Sequence, residues 1–296
     1  MGVLNRIDRH HMPSDMAGTA TFWKHPYFRD MALLKARFTQ HRYELHTHPT
    51  YVIALITQGC ERLRIGRRRI VAPINTVIVV NPEECHDGER ETEIGWAYRT
   101  FYPSVDLMTE VARELGRNDT PLFTPAAIND PTLANKLAIA HRAAERSADM
   151  EAEASMLEAL RHLLIGHADW RRNVQPCECS GAVQRIAVYR EVIDADIACG
   201  LDLQHLATAA RVTRFQVIRD FKLMTGLTPG AYIRNQRFRL ACRLIEHGSP
   251  LADAAAAAGF ADQSHLSRVF RRSQGITPGM FRHACTQDGA RLIAHC

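Results

Sequence analysis

The sequence predicts an α+β protein in two parts. The N-terminal half reads as a β-sandwich or barrel followed by a helical segment. The C-terminal part reads as an all-α domain with two helix-turn-helix units joined by a long helix. Three observations predict this. Short β-rich runs recur between about Met31 and Tyr102, bounded by turn residues. Amphipathic helical patterns follow from about 105 to 170. Beyond them, "TGLTPGAYIR" from Thr225 is nearly repeated by "QGITPGMFRH" from Gln274, with Gly226 and Gly275 49 residues apart. The chain has 296 residues and is 46% hydrophobic, enough for a sizeable core and, by length, two domains. The expected organisation is 1–170, a linker over 171–181, and 182–296.

Before Met31 the sequence lacks the apolar stretch of a signal peptide, and Arg6 stands where a myristoylation pattern wants Ser or Thr. No run of 18 apolar residues exists, so no membrane partner is expected and the chain reads as cytoplasmic. "YVIALITQG" reads as a strand ending at Gly59, and "RLRIGRRRIVAP" alternates around Gly66 as a hairpin does. "NTVIVVNPEECH" and "IGWAYRTFYP" supply further strands. His46 and His48 have H-x-H spacing, which on one strand face would point both imidazoles the same way, and His86 closes "NPEECH". Thr50, Tyr51, Val52 and Ile53 follow, with no acidic ligand, and Glu83 and Glu84 fall on a turn. The better reading is therefore a pocket for a small polar molecule, lined by His46, His48, Tyr51, His86, Trp96 and Tyr98, with no metal and no cofactor assigned.

"DLMTEVARELG", "PTLANKLAIAHRAAERS" and "EAEASMLEALRHLLIGHADW" are amphipathic helices. The last places Met156, Leu157, Leu160, Leu163 and Leu164 along one stripe, either core or a dimer seam. "RRNVQPCECSG" is polar and holds Pro176, as a linker does. Its Cys177 and Cys179, without a second pair, read as incidental; the eight scattered cysteines read as reduced thiols.

From Gly181 onward there are 15 Lys+Arg against 9 Asp+Glu, a net of +6; the preceding part has 22 against 23, a net of −1. A basic domain beside a neutral one suggests a polyanion partner. Each C-terminal unit has a short Ala/Leu helix, Leu203 to Ala210 or Leu251 to Ala258. A tight turn follows, then an N-cap residue, Thr213 or Asp262. The second helix pairs Val217 with Phe221, or Leu266 with Phe270, at i and i+4. Its outer face carries Arg214, Phe215, Ile218, Arg219 and Lys222 in the first unit, and Gln263, Ser264, Ser267, Arg268, Arg271 and Arg272 in the second. Arg and Gln reach guanine and adenine edges bidentately, while Arg and Lys further along suit phosphates. Between the units, about Pro229 to His247 reads as a helix roughly 27 Å long at 1.5 Å per residue, near the ~34 Å between successive major grooves on one face of DNA.

The stretch from "LDLQHLATAARVTRF" to "GFADQSHLSRVFRRSQGITPGMFR" resembles the DNA-binding domain of the AraC/XylS family of bacterial transcription regulators. The resemblance places base contacts at Phe215, Ile218 and Arg219, and at Gln263, Ser264 and Arg268. Ile218 is apolar where some members have Gln, so a thymine methyl or no readout is implied there. "HTHP" and "NPEECH" similarly resemble that family's cupin-like effector barrel. The resemblance implies a transcription regulator, an activator, that answers a small-molecule effector in the bacterial nucleoid. Its implied partners are double-stranded DNA and RNA polymerase. It also implies a homodimer through a helix like the one at Met156, and an N-terminal arm over the pocket. No catalytic residues are assigned, and the protein is not expected to be an enzyme. The alternative is a metal-dependent cupin enzyme carrying a DNA-binding domain, against which the missing carboxylate counts.

Overall fold

The computed structural model describes residues 18–25, 28, 31–146, 150–170, 180–198 and 200–286. Residues 171–179, with Cys177 and Cys179, lie outside them. The N-terminal half is the expected sheet-rich, cupin-like unit. Its strands are β1 (Gly18–Lys24), β2 (Met31–Phe38), β3 (Arg42–His46), β4 (Val52–Ile65), β5 (Arg68–Pro73), β6 (Val77–Val80), β7 (His86–Arg90), β8 (Trp96–Pro103) and the short β9 (Ala127–Ile128). One sheet runs β1-β2-β8-β4-β6-β9. The far half of β4 leaves it to pair with β5 and β7, and β7 pairs with β3.

The strand through "YVIALITQG" does not stop at Gly59. It runs on to Ile65: the β4–β8 register shifts between Ile56 and Gln58, and Gly59 (φ +66°), just past the shift, pairs with Trp96 and packs on the Gly95 backbone. The hairpin at Gly66 forms as read, with Ile65 opposite Arg68. The strands β1, β2, β3, β7 and β9 were not read individually from sequence.

Both faces of the main sheet are covered, which explains its near-continuous apolar runs. Alternate residues divide between two cores. Ile53, Leu55, Val77, Val79 and Phe101 face helices α1 (Val105–Glu114), α2 (Pro131–Arg146) and α3 (Met150–His167). Val52, Ala54, Ile56, Ile78 and Val80 face the barrel interior. The stripe on α3 belongs to the first of these cores: Met156, Leu160, Leu163 and Leu164 are fully buried within the chain. These four side chains therefore do not offer a seam to a second copy.

The C-terminal part is all-α: α4 (Ser180–Ala195), α5 (Leu203–Ala209), α6 (Arg214–Thr225), α7 (Pro229–Glu246), α8 (Leu251–Ala257), α9 (Gln263–Gln274) and α10 (Pro278–Thr286). The caps expected at Thr213 and Asp262 form, and Thr228 adds a third. The side chains of Thr213, Thr228 and Asp262 accept backbone N–H groups at the starts of α6, α7 and α9. Gly226 and Gly275 end α6 and α9 in the left-handed conformation, at φ +71° and +68°. Ala254, Ala255 and Ala258 are fully buried, so a poly-alanine helix is what lets α9 pack close.

The two halves share one apolar core. Phe238, Phe270, Ile276 and Phe281 cluster with Leu34, Phe38, Trp96 and Tyr98 of the barrel. Phe22 on β1 stacks on Phe281, ring centroids 5.7 Å apart, and Lys24 meets Glu246 at 3.1 Å. The described part of the expected N-terminal arm is thus an edge strand seated on α10.

Candidate functional site

The barrel holds a small, partly open cavity of about 60 Å³. Its wall is built from β3, β4, β6, β7 and β8, with Ser273 of α9. His46, His48, His86 and Tyr98 line it as expected from the sequence. Tyr51 and Trp96 do not. Tyr51 shares the parity of Ile53, so it turns into the helix-covered core, meets Phe123 edge-on and donates its hydroxyl to Pro121 O at 2.6 Å. Trp96 has the pocket parity of Tyr98 but sits at the strand's end under Phe38, 1% exposed. Residues not read from sequence complete the lining: Thr100 and Tyr102 two and four residues after Tyr98, Val52 and Ala54 on β4, Glu61 and Leu63 beyond the irregularity, and Tyr43 on β3. The period-two spacing on β8 was the available signal.

The three histidines converge. One ring nitrogen from each lies within 4.8 Å of those of the other two. His46 Nδ1 bonds Glu44 O at 2.6 Å, and His86 Nδ1 bonds Glu84 O at 2.9 Å. A carbonyl only accepts, so both Nδ1 atoms carry the proton and both Nε2 atoms present lone pairs. His48 Nε2 lies 3.0 Å from His46 Nε2 and donates to it. Burial and the neighbouring His86 push His46 down to about 3, against the hydrogen bond to Glu44. Burial, then His46 and His86, hold His48 well below its ordinary value; burial likewise lowers His86. All three are neutral imidazoles. Burial, reinforced by Asp87, pushes Glu61 up to about 8, so its carboxyl is mostly protonated at neutral pH. The Tyr43 and Tyr98 hydroxyls pair at 2.5 Å. The pocket thus offers apolar walls, neutral imidazoles, hydroxyls and a protonated acid, the lining of a site for a small polar molecule.

The second candidate surface lies on α6 and α9. Arg214, Phe215, Arg219 and Lys222 are exposed, Phe215 at 80%, and Ile218 is half-buried. Gln263, Ser264 and Arg268 are exposed on α9, and Ser267 and Arg271 half-buried. Arg272 differs from the rest: its guanidinium reaches back to Glu44 of the barrel at 3.4 Å. The first unit is anchored by a network absent from the sequence reading. Asp220, 1% exposed, accepts from Arg185 Nε (2.7 Å) and Nη2 (2.9 Å), Tyr189 Oη (3.0 Å) and Gln216 Nε2 (2.8 Å).

The pocket and the helices meet through β3 and the loop after it. Thr47, between His46 and His48, accepts from Asn235 Nδ2 (2.8 Å) and Arg239 Nη2 (2.6 Å) of α7. Arg239 also forks onto both carboxylate oxygens of Glu83 at 2.8 Å. The two repeated glycines seat the reading helices on the barrel. A Cβ at Gly275 would lie 2.6 Å from Tyr43 Oη and 2.8 Å from Phe38 Cζ; one at Gly226 would lie 3.1 Å from Cys85 Cβ.

Residues 28–160 match the family model described as the AraC-like ligand binding domain, and residues 206–284 match a helix-turn-helix domain. YbfI of Bacillus subtilis, described as an HTH-type transcriptional regulator, is 25% identical over 223 residues, 75% of this chain and 80% of that protein. The regulatory protein SoxS of Salmonella typhimurium is 35% identical over 101 residues, 34% of this chain and 94% of SoxS. Among solved structures, an apo variant of ToxT from Vibrio cholerae matches 94% of this chain and all of its own. Its TM-score is 0.51 at 11% identity, a likeness of fold.

Proposed function

The chain belongs to the AraC family of transcription regulators, and from that premise we propose how its parts divide the work. It is a DNA-binding regulator with a ligand-binding barrel. Arg219 and Arg268 read base edges in successive major grooves, with Phe215, Gln263 and Ser264 beside them. Arg214 and Lys222 neutralise phosphates. Arg272 reaches phosphate only when it leaves Glu44. Ile218, half-buried, contributes at most its methyls. The observation that carries this reading is the pair of matched, side-chain-capped helices presenting arginines outward, separated by α7.

The effector occupies the barrel pocket beside His46, His48, His86, Tyr98 and Tyr102, under the end of α9. A ligand shifts the molecule only through unequal affinity for two domain arrangements. The contacts of Thr47, Arg239 and Ser273 are where such inequality would arise. Activation of transcription, with RNA polymerase as partner at the nucleoid, follows the family. For the homodimer implied by the family, the outward sides of α2 and α3 offer Ile139 and Ile165, 45% and 66% exposed. The relatives are transcription regulators, and the enzyme alternative gains no support from them.

The test is binding to genomic fragments around the protein's own gene, by footprinting and titration at two salt concentrations. Arg268→Ala is expected to weaken binding at the protected site by ~1–3 kcal/mol and relax preference at one base pair. Equal weakening on random DNA would remove Arg268 from base readout.

A further inference from the structure

A carboxyl inside the barrel lacks a partner. Glu61 belongs to the inward row of β4 with Leu63 and Ile65, a row otherwise apolar. It is 8% exposed and lines the cavity. Among the described residues its carboxyl has no hydrogen-bond or ion-pair partner. The neighbouring arginines are engaged elsewhere, Arg62 with Glu89 and Glu91, and Arg64 with Asp87. Gly88 on β7 leaves the carboxyl its place, since a Cβ there would lie 2.4 Å from Glu61 Oε1. An acid buried in an apolar wall without a hydrogen bond is costly, so its presence in that row calls for an occupant of the cavity.

The rest of the lining has the same excess of acceptors. His86 donates Nδ1–H to Glu84 O, which leaves its Nε2 an acceptor with no hydrogen-bond partner among the described residues. His86 and Gly88 are two residues apart on β7, about 7 Å along a strand, so the imidazole and the Glu61 carboxyl flank one volume. Tyr43, Tyr98 and Tyr102 surround it, and all three feel the Glu61 charge. The lining contains no lysine or arginine, and Val52, Ala54, Ile78 and Val80 make it apolar beyond the polar cluster. An anion would meet Glu61 with no countercharge, and a neutral alcohol brings none to it. A primary ammonium ion brings the charge, N–H donors for Glu61 and His86 Nε2, and a cation for the tyrosine ring faces. The cavity of about 60 Å³ holds about four to six water-sized atoms, at ~10–15 Å³ each.

We propose that the pocket selects a small primary alkylammonium ion, with Glu61 as its counter-ion, His86 Nε2 as a second acceptor and the rings of Tyr43, Tyr98 and Tyr102 around the charge. This names the effector class and rests on the reading of the barrel as the effector site. Burial, reinforced by Asp87, holds Glu61 up at about 8. Near neutral pH the amine therefore enters as the ammonium ion, the Glu61 proton leaves to solvent, and a carboxylate–ammonium pair remains. The other groups that face Glu61 stay neutral there: Tyr43, Tyr98, Tyr102 and Cys60 are each pushed above their ordinary values, chiefly by burial. Burial likewise keeps His46, His48 and His86 uncharged. Affinity for the amine thus rises with pH up to about 8, where the carboxyl no longer has a proton to give up.

The experiment is calorimetric titration of the full-length protein at neutral pH with n-butylamine, 1-butanol and butyrate, in two buffers of different ionisation enthalpy. Butylamine should bind roughly tenfold or more tightly than either isostere and release about one proton per chain. Glu61→Gln should bind it roughly tenfold more weakly or worse and release none. Glu89→Gln, whose carboxyl faces Arg42 and Arg62 outside the barrel, should bind as wild type does. No binding of butylamine at millimolar concentration, equal affinity for the three probes, or undiminished binding by Glu61→Gln would overturn the proposal. If Glu61→Gln fails to fold, the wild-type proton count decides: about one supports the pair and none overturns it. DNA binding is then measured with and without butylamine. Amine binding by a protein that binds no DNA would sink the regulator reading and leave the ligand class standing. DNA binding by a protein that prefers butyrate or butanol would remove the ligand class alone.

Discussion

Replacing Asp220 by alanine tests whether a buried charge network holds the first reading helix in place. The carboxylate is 1% exposed and accepts four hydrogen bonds, two of them from Arg185. Removing it leaves a guanidinium still largely covered, its side chain 28% exposed, and strands the Tyr189 hydroxyl in the core. Breaking a buried pair from one side costs about 3–5 kcal/mol. Replacing both partners by apolar side chains of similar size costs much less, because no buried charge is stranded. Urea unfolding of Asp220→Leu, Arg185→Met and the Arg185→Met, Asp220→Leu double variant therefore gives a strongly non-additive cycle. The double variant should be more stable than Asp220→Ala. Footprinting should show the half-site of α6 lost in Asp220→Ala and that of α9 retained. Acid weakens the same network. Burial alone would raise the Asp220 carboxyl, but Arg185, Gln216 and Tyr189 together hold it below its usual range. Its stabilisation is thus complete above the ordinary carboxylate range and lost as pH falls through the lowered value. A cost below about 1 kcal/mol, or additive single costs, would refute the assignment.

Two further outcomes follow from the pocket and the seam. Glu61 is raised from 4.5 to about 8, so its folded form prefers the proton, and stability falls as pH rises between those values. Glu61→Gln should be more stable than wild type by on the order of 3–5 kcal/mol above pH 8 and nearly equal at pH 4.5, read by urea unfolding across pH; a pH-independent difference would remove the buried-acid assignment. Gly275→Ala should loosen the barrel from α9, seen as faster proteolysis between the halves, because its Cβ would strike Tyr43 and Phe38. Gly248→Ala is the control, since Gly248 also has positive φ, +88°, but faces open space; equal effects would show backbone strain alone at work.

The helical part was legible because its signals are local. Thr213, Asp262, the two glycines and Pro229 act within one turn of their own positions, and the repeat doubled each signal. The barrel was legible only in its apolar strands. "GTATFWK" and "RYELH" have neither a long apolar run nor flanking turn pairs, so β1 and β3 passed unread. In the pocket, residue type misled where parity decided. Tyr51 is the right chemistry on the wrong face, and Thr100 the reverse. Helix α4 was missed because the repeat begins after it. The contact of Thr47 with Asn235 joins residues 188 apart, and no local pattern announces it. The glycines of the two repeats had a sufficient local explanation as helix ends, which concealed their second role against Tyr43 and Cys85.

The apolar core common to both halves limits how freely this regulator can be recombined. A barrel grafted from a relative would meet α7, α9 and α10 with the wrong relief unless it also brought counterparts of Phe22, Phe38, Tyr43 and Cys85. Domain exchange, which treats sensing and reading as separate cassettes, would here yield chimaeras with an ill-fitting joint. The units of inheritance for such a protein are matched pairs, barrel surface with helix surface, each constraining what substitutions the other tolerates.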